Sequence, residues 1–190
     1  MINIREERVT DVAAREALLD AEYGAGRFTK ASARLREGRV PAKGLSLVAV
    51  ERGQIVGTIR LWHVTAGPGC PALLLGPLTV HPDYRNRGIG SALVRRALTR
   101  ARLGGYRAVL LVGDAAYYGR FGFAAGRTGA LWMPGRFERD RLLALELRPH
   151  ALTGARGMIA ATGQLEPKPD LNLLIAAAGD ATHSHVHRAA

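Results

Sequence analysis

The sequence predicts an α/β (α+β) domain, a mixed and largely antiparallel central sheet flanked by helices. Three observations carry this. From Ala72 to Val112 a strand pattern, a Gly-rich turn, an amphipathic helix pattern and a second strand pattern follow one another, the order of a βαβ unit. Two strand patterns around a tight turn precede that unit, and an alternating strand pattern follows it. The chain has 190 residues, enough for one real core and short for two. No internal repeat is visible.

VAAREALLDAEY, Val12–Tyr23, reads as a helix that Thr10 or Asp11 can cap. Residues 31–37 suggest a second, short helix. Residues 45–62 read as two strands around the turn Arg52-Gly53, and Pro68 and Gly69 mark a loop. Residues 72–80, ALLLGPLTV, form a strand with a flaw. Gly76-Pro77 removes one donor and weakens the pleat, which predicts a β-bulge. From Gly90 onward Ile89, Leu93, Ala97 and Ala101 recur every four residues, and Val94 and Leu98 widen the stripe. That is a helix of about three turns, stopped by Gly104-Gly105. AVLLV, Ala108–Val112, is a buried strand, and residues 113–123 hold a tight turn and a short helix. Residues 142–149 alternate and read as a closing strand. After Pro149 Gly, Ala and Thr dominate, residues 171–178 suggest a short docking helix, and the last ten residues read as a disordered tail.

Bulk properties narrow the class. The hydrophobic fraction is 47%, and no apolar run approaches the ~18 residues of a membrane span. MINIREERVTD is charged and lacks the apolar core of a signal peptide, so a cytoplasmic protein is expected. A single cysteine, Cys70, forms no internal disulfide and suits a reducing compartment. The net charge of +11 points to an anionic partner: nucleic acid, a membrane surface or a phosphorylated cofactor. Nearly all of it is arginine, a composition that genomic bias also produces.

The stretch VHPDYRNRGIGSALVRRAL, residues 80–98, is where chemistry is legible. A helix start leaves about four backbone N–H groups unpaired, and its dipole adds partial positive charge. Gly88 and Gly90 let a ligand approach the backbone, and Arg85 and Arg87 add fixed charge. Together they make an anion cradle suited to a pyrophosphate. There is no Gly-Lys-Ser/Thr, so the nucleotide-triphosphate loop fails, and Gly-x-Gly-x-x-Gly is absent as well.

Arg85-Asn86-Arg87-Gly88-Ile89-Gly90, after a strand ending Leu78-Thr79-Val80, resembles the coenzyme A loop of the GCN5-related N-acetyltransferases (GNAT). Tyr118-Gly119-Arg120-Phe121-Gly122-Phe123 resembles a second motif of that family, Tyr-x-x-x-Gly-Phe, in the expected order. The resemblance implies a GNAT-like sheet whose bulged fourth strand splays from the fifth. It implies an acetyltransferase domain over residues 1–150 and a C-terminal extension over 151–190. Backbone groups of Leu78, Thr79 and Val80 would bind the pantetheine arm of acetyl-CoA. The loop from Arg85 through Asn86, Arg87, Gly88, Ile89 and Gly90 to Ser91 would hold its pyrophosphate.

By the same resemblance, a neutral amine attacks the thioester, the Leu78 N–H stabilises the oxyanion, and Tyr118 protonates the departing thiolate. A phenol of pKa ~10 suits that task. The family often carries Glu in the fifth strand, where this chain has Leu111. Asp114, Glu51 and His81 are the other candidate bases. Tyr117 reads as packing, Asp114 as a helix cap, Trp62 and His63 as structural residues at a strand end, and Cys70 as a passive thiol. His183, His185 and His187 read as an adventitious metal binder, and no resident metal is expected. The partners implied are acetyl-CoA and an amine acceptor, with no membrane, and with a homodimer left open. Two alternatives stand beside this reading. One is an acyl-CoA binder with little catalysis, motivated by Leu111. The other is a basic nucleic-acid or ribosome-associated protein, motivated by charge, although no basic stripe interleaves with aromatics.

Overall fold

The computed structural model describes residues 2–167. Its strands are β1 (Asn3–Glu6), β2 (Ser46–Glu51), β3 (Gln54–Ala66), β4 (Pro71–Val80), β5 (Ala108–Val112), β6 (Leu131–Trp132), β7 (Leu142–Glu146) and β8 (Gly157–Ala161). Its α-helices are α1 (Val12–Tyr23), α2 (Ala31–Arg34), α3 (Ile89–Leu103) and α4 (Ala115–Tyr118). The sheet runs β1-β2-β3-β4-β5-β7, and β8 pairs with both β3 and β6. Pairing is antiparallel except at β4–β5 and β6–β8. The mixed, largely antiparallel sheet of the sequence reading is therefore present, with its βαβ unit at β4-α3-β5.

Local chemistry accounts for these elements. Arg52 and Gly53 have φ of 50° and 81°, the positive values of a tight hairpin turn whose twist suits the flanking strands. On β4 and β5 the side chains alternate: Leu73, Leu75, Val109 and Leu111 join one core, and Leu74, Ala72, Ala108 and Leu110 join the other. The first core is closed by α3, whose Ile89, Leu93, Val94, Ala97, Leu98 and Ala101 are all buried. Each large side chain among them contributes about 1.5–3 kcal/mol of burial. The second core is closed by α2 and by Leu131, Met133, Leu152 and Ile159.

The predicted bulge is present. Ile59 faces Leu78 and Leu61 faces Leu75, so Arg60 alone opposes Gly76 and Pro77. Trp62 Nε1 donates to the Gly76 carbonyl at 2.6 Å and fixes the bulge from the neighbouring strand. β4 pairs with β5 only at Leu73–Val109 and Leu74–Leu110, after which the two strands part.

Several expectations are corrected. α3 has 15 residues, about one turn more than its stripe suggested, because Leu103 continues the helix up to Gly104. α2 stops at Arg34. Trp62 and His63 lie within β3 and not at its end. β1, β6 and β8 went unread, being short or poor in large apolar residues. β8 pairs with Val64, Thr65 and Ala66, so part of the stretch set apart as an extension beyond residue 150 belongs to the sheet. The docking helix at 171–178, the tail and its histidines lie outside the described residues. Among the described residues no helix is long and apolar enough to cross a membrane.

The start of α1 is held differently from expectation. Asp11 occupies the capping position, but its carboxylate makes no cap bond to α1. It accepts instead from Arg5 at 2.6 and 2.9 Å and from the Arg8 N–H at 2.7 Å. The Arg5 hydrogen bonds, aided by the Arg8 N–H, lower its pKa from 3.8 to about 2. A carboxyl more acidic in the folded state stabilises the fold above its unfolded pKa and loses that contribution as pH falls toward the folded value. Asp11→Asn is therefore expected to lower the melting temperature at pH 7 and to flatten its decline between pH 4 and 2. Thermal melts across that range check it.

Candidate active site

Where β4 and β5 part, three groups of residues meet. The first is the open edge of β4. The His81 N–H donates to the Val56 carbonyl at 2.9 Å. The two-residue alternation of an antiparallel ladder then turns the N–H and C=O of Thr79 toward β3 and those of Leu78 and Val80 away from it. Two side chains find those outward carbonyls: Tyr23 Oη donates to Leu78 O at 2.5 Å, and Arg85 Nε to Val80 O at 3.4 Å. A cavity of about 240 Å³ fills the gap, walled by Leu74 to Leu78 on β4, by Val112 to Asp114 at the end of β5, and by Tyr23, Arg36 and Tyr118.

The second group is the cradle at the start of α3. Gly88 has φ 75°, the left-handed conformation that glycine adopts without penalty, and this turns the chain into the helix. The first helical bond runs from the Ala92 N–H to the Gly88 carbonyl at 2.9 Å, so the N–H groups of Ile89, Gly90 and Ser91 have no earlier turn to bond. A cavity of about 470 Å³ lies over them, bordered by Val80, Arg85, Asn86, Gly88 and Ser91, and by Tyr117 and Arg120 from the far side. Donors converging on a roomy concavity at a helix N-terminus fit a diphosphate. Arg85 also pairs with Glu22 of α1.

The third group is aromatic. α4 starts at Asp114, whose carboxylate accepts from the Ala116 N–H at 2.9 Å, as its reading as a cap expected. The helix stands Tyr118 over the end of β5, so close that a Cβ on Gly113 would lie 2.4 Å from the ring. Tyr118 packs edge-on against Tyr117 and Phe123, and its hydroxyl makes no hydrogen bond to another described residue. Burial, and to a lesser degree Tyr117 and Tyr23, push its pKa well above the usual phenol value. It therefore holds its proton throughout the neutral range.

The structure thus brings together Leu78, Val80, Arg85, Asn86, Gly88, Gly90, Ser91 and Tyr118 around two neighbouring cavities. Ile89 contributes its N–H, while its side chain is buried in the core. One predicted residue, Thr79, is placed elsewhere, and the side chain of another, Arg87, leaves the cradle. The Thr79 side chain is buried and its backbone faces β3. Arg87 turns its guanidinium to Glu51, at 2.8 and 3.2 Å, and lies over the Tyr84 ring. Of the candidate bases, Asp114 alone borders the β4–β5 cavity; Glu51 is engaged by Arg87, and His81 Nδ1 accepts from the Asp83 N–H. Leu111 is buried beneath α3. Tyr23, Arg36 and Arg120 were missed, and Tyr117, read as packing, borders the cradle. No local pattern marks Tyr23 or Arg36, since each reaches the site from a remote segment, while Arg120 lies inside the Tyr118–Phe123 motif without being singled out. Among the described residues no group of three His, Cys, Asp or Glu could hold a metal ion.

Comparison with known proteins identifies the family and the fold. The family model of the GNAT acetyltransferase domain matches residues 42–125. The N-acetyltransferase YjhQ of Escherichia coli is 31% identical over 166 residues, which cover 77% of this chain and 87% of YjhQ. The crystal structure of the Escherichia coli GNAT N-acetyltransferase YhbS in complex with CoA superimposes with a TM-score of 0.70 at 30% identity, covering 85% of this chain and 89% of that one. A GNAT acetyltransferase of Brucella melitensis in complex with acetyl-CoA gives a TM-score of 0.62 at 27% identity, over 91% of this chain and 98% of that one.

Proposed function

The chain belongs to the GNAT family of N-acetyltransferases, and from that premise we propose that it takes its acetyl group from acetyl-CoA and delivers it to an amine by direct attack. The observation that carries this is the pairing of the α3 cradle with the open edge of β4. One site has donors for a diphosphate, and the next has outward backbone groups for an extended, amide-bearing arm. Both relatives with CoA or acetyl-CoA bound share the fold.

Acetyl-CoA supplies the acetyl group already activated as a thioester. The chain supplies the rest. The N–H groups of Ile89, Gly90 and Ser91 and the Arg85 guanidinium neutralise the phosphates. The backbone of Leu78 and Val80 aligns the arm along β4, as a further strand would lie. The Leu78 N–H faces the negative charge that develops on the carbonyl oxygen, where a fixed donor needs no reorganisation. Tyr118, kept protonated by burial, donates to the departing sulfur and regains its proton from the acceptor nitrogen, so it ends the cycle neutral. Tyr23 holds the Leu78 carbonyl and so fixes the peptide that carries the reacting edge.

Isothermal titration with acetyl-CoA at moderate salt, with ATP as the control anion, tests this. Saturable acetyl-CoA binding with a much weaker ATP response is expected. An equal response to any polyanion would overturn it. Salt-steep polynucleotide binding without acetyl-CoA binding would favour the nucleic-acid reading instead.

A further inference from the structure

A further cavity, of about 390 Å³, adjoins the β4–β5 gap, and the two share Tyr23, Arg27, Arg36 and Pro77 as walls. Arginines dominate its charge. Arg15, Arg27, Arg36 and Arg60 all line it. Three of the four are neutralised locally. Arg60 Nε donates to Glu7 at 2.9 Å, Arg15 lies 3.1 Å from the same carboxylate and also pairs with Glu16, and Arg27 pairs with Asp20 at 2.8 Å and with Glu16.

Arg36 is different. Its Nε donates to the Ser32 carbonyl at 3.0 Å, and among the described residues no carboxylate lies within ion-pair distance and no hydrogen bond engages its two terminal nitrogens. Glu37 and Glu166 also line the cavity, but both are exposed and neither forms an ion pair among the described residues. Burial, and then the charge of Arg27, lower the Arg36 pKa to about 10. It remains a cation at neutral pH, in surroundings that favour an anion. A guanidinium with a free fork, partly desolvated between two cavities, matches a carboxylate or phosphate in geometry and charge.

We infer that this cavity is the acceptor site and that the acceptor is a small amine also bearing an anionic oxygen group, a carboxylate or a phosphate, which the Arg36 guanidinium binds while the amine points to Leu78 and Tyr118. The inference rests on the acetyl-transfer reading above and adds the substrate class to it. In the reaction the amine nitrogen forms the amide bond, the thioester C–S bond breaks, and one amine proton ends on the CoA sulfur. The anionic group stays unchanged.

The test is a matched panel acetylated from acetyl-CoA: the L-amino acids against their α-carboxamides, and O-phosphoethanolamine against ethanolamine. A carboxylate raises the basicity of its neighbouring amine, so at equal pH the acid offers less neutral nucleophile than the amide. A preference for the acid must then come from the site. We expect kcat/KM to favour at least one anionic amine over its neutral partner by about 10- to 100-fold. Arg36→Gln should erase that ratio, Arg36→Lys should retain part of it, and both should still bind acetyl-CoA by calorimetry, with any loss of that affinity bearing equally on the acid and its neutral partner. Titrating CoA-saturated protein with the preferred amine should show the same loss in Arg36→Gln without turnover. Which arm responds distinguishes carboxylate from phosphate. Equal rates within every pair, reaction of neutral amines alone, or no acetylation of any member despite acetyl-CoA binding would overturn the inference and leave the donor assignment intact. Absence of acetyl-CoA binding would overturn the donor assignment itself.

Discussion

Gly88→Asp is expected to weaken acetyl-CoA binding by at least about 100-fold while the protein stays folded. Two unit charges ~4 Å apart interact by about 4 kcal/mol at an effective dielectric constant near 20, which corresponds to roughly three decades in affinity. An aspartate at the mouth of the cradle would place such a charge against the diphosphate. The fold should survive, because a Cβ on Gly88 meets nothing within 4 Å. The left-handed φ of 75° is also one that Asp and Asn tolerate better than other side chains. Gly88→Asn separates the causes, having nearly the shape of aspartate without its charge, and should lose much less affinity. Calorimetry on the three proteins, with a thermal melt of each, decides the matter. Unchanged affinity in the aspartate variant would remove the cradle from the coenzyme site.

Tyr118→Phe is expected to lower kcat by about 100-fold, at the lower end of what a positioned general acid contributes. Affinity for acetyl-CoA should stay within about two-fold. The substitution deletes a hydroxyl that no described residue engages, and the ring that packs on Gly113, Tyr117 and Phe123 is retained. A purely structural role predicts the opposite pattern, with little change in kcat. The pH profile gives a second readout. Burial raises the Tyr118 pKa above that of a free phenol, so in the wild-type enzyme its ionisation should not cut activity as pH rises to ~10. A tyrosine-dependent fall near pH 9, absent in the phenylalanine variant, would contradict the assigned environment.

Gly88 was legible in the sequence because its place is set by chain neighbours, whereas the part expected of Tyr118 rests on the family resemblance alone. A glycine just before a 3.6-residue stripe marks a helix start, and a helix start carries unpaired donors wherever it lies. Gly76-Pro77 within an apolar run marks a bulge for the same reason, since the lost donor belongs to the residue itself. Strand β5 and helix α1 were readable from their runs alone, with the bounds later observed.

What the sequence by itself determined is therefore the βαβ unit, the bulge and the cradle. Each follows from periodicity or from backbone chemistry within a dozen residues. Only the tertiary structure decided which remote side chains complete the site. Tyr23 reaches the Leu78 carbonyl across 55 residues of chain. Arg36 is set between two cavities with no carboxylate partner among the described residues, whereas Arg87, beside the cradle in sequence, is drawn off to Glu51 on β2. β8 forms because β3 extends to Ala66 and leaves an edge to pair, although GMIAA carries little strand signal. A charged side chain settles with whichever partner the fold brings within a few ångströms, and that distance is a property of the packed sheet and not of any window along the chain.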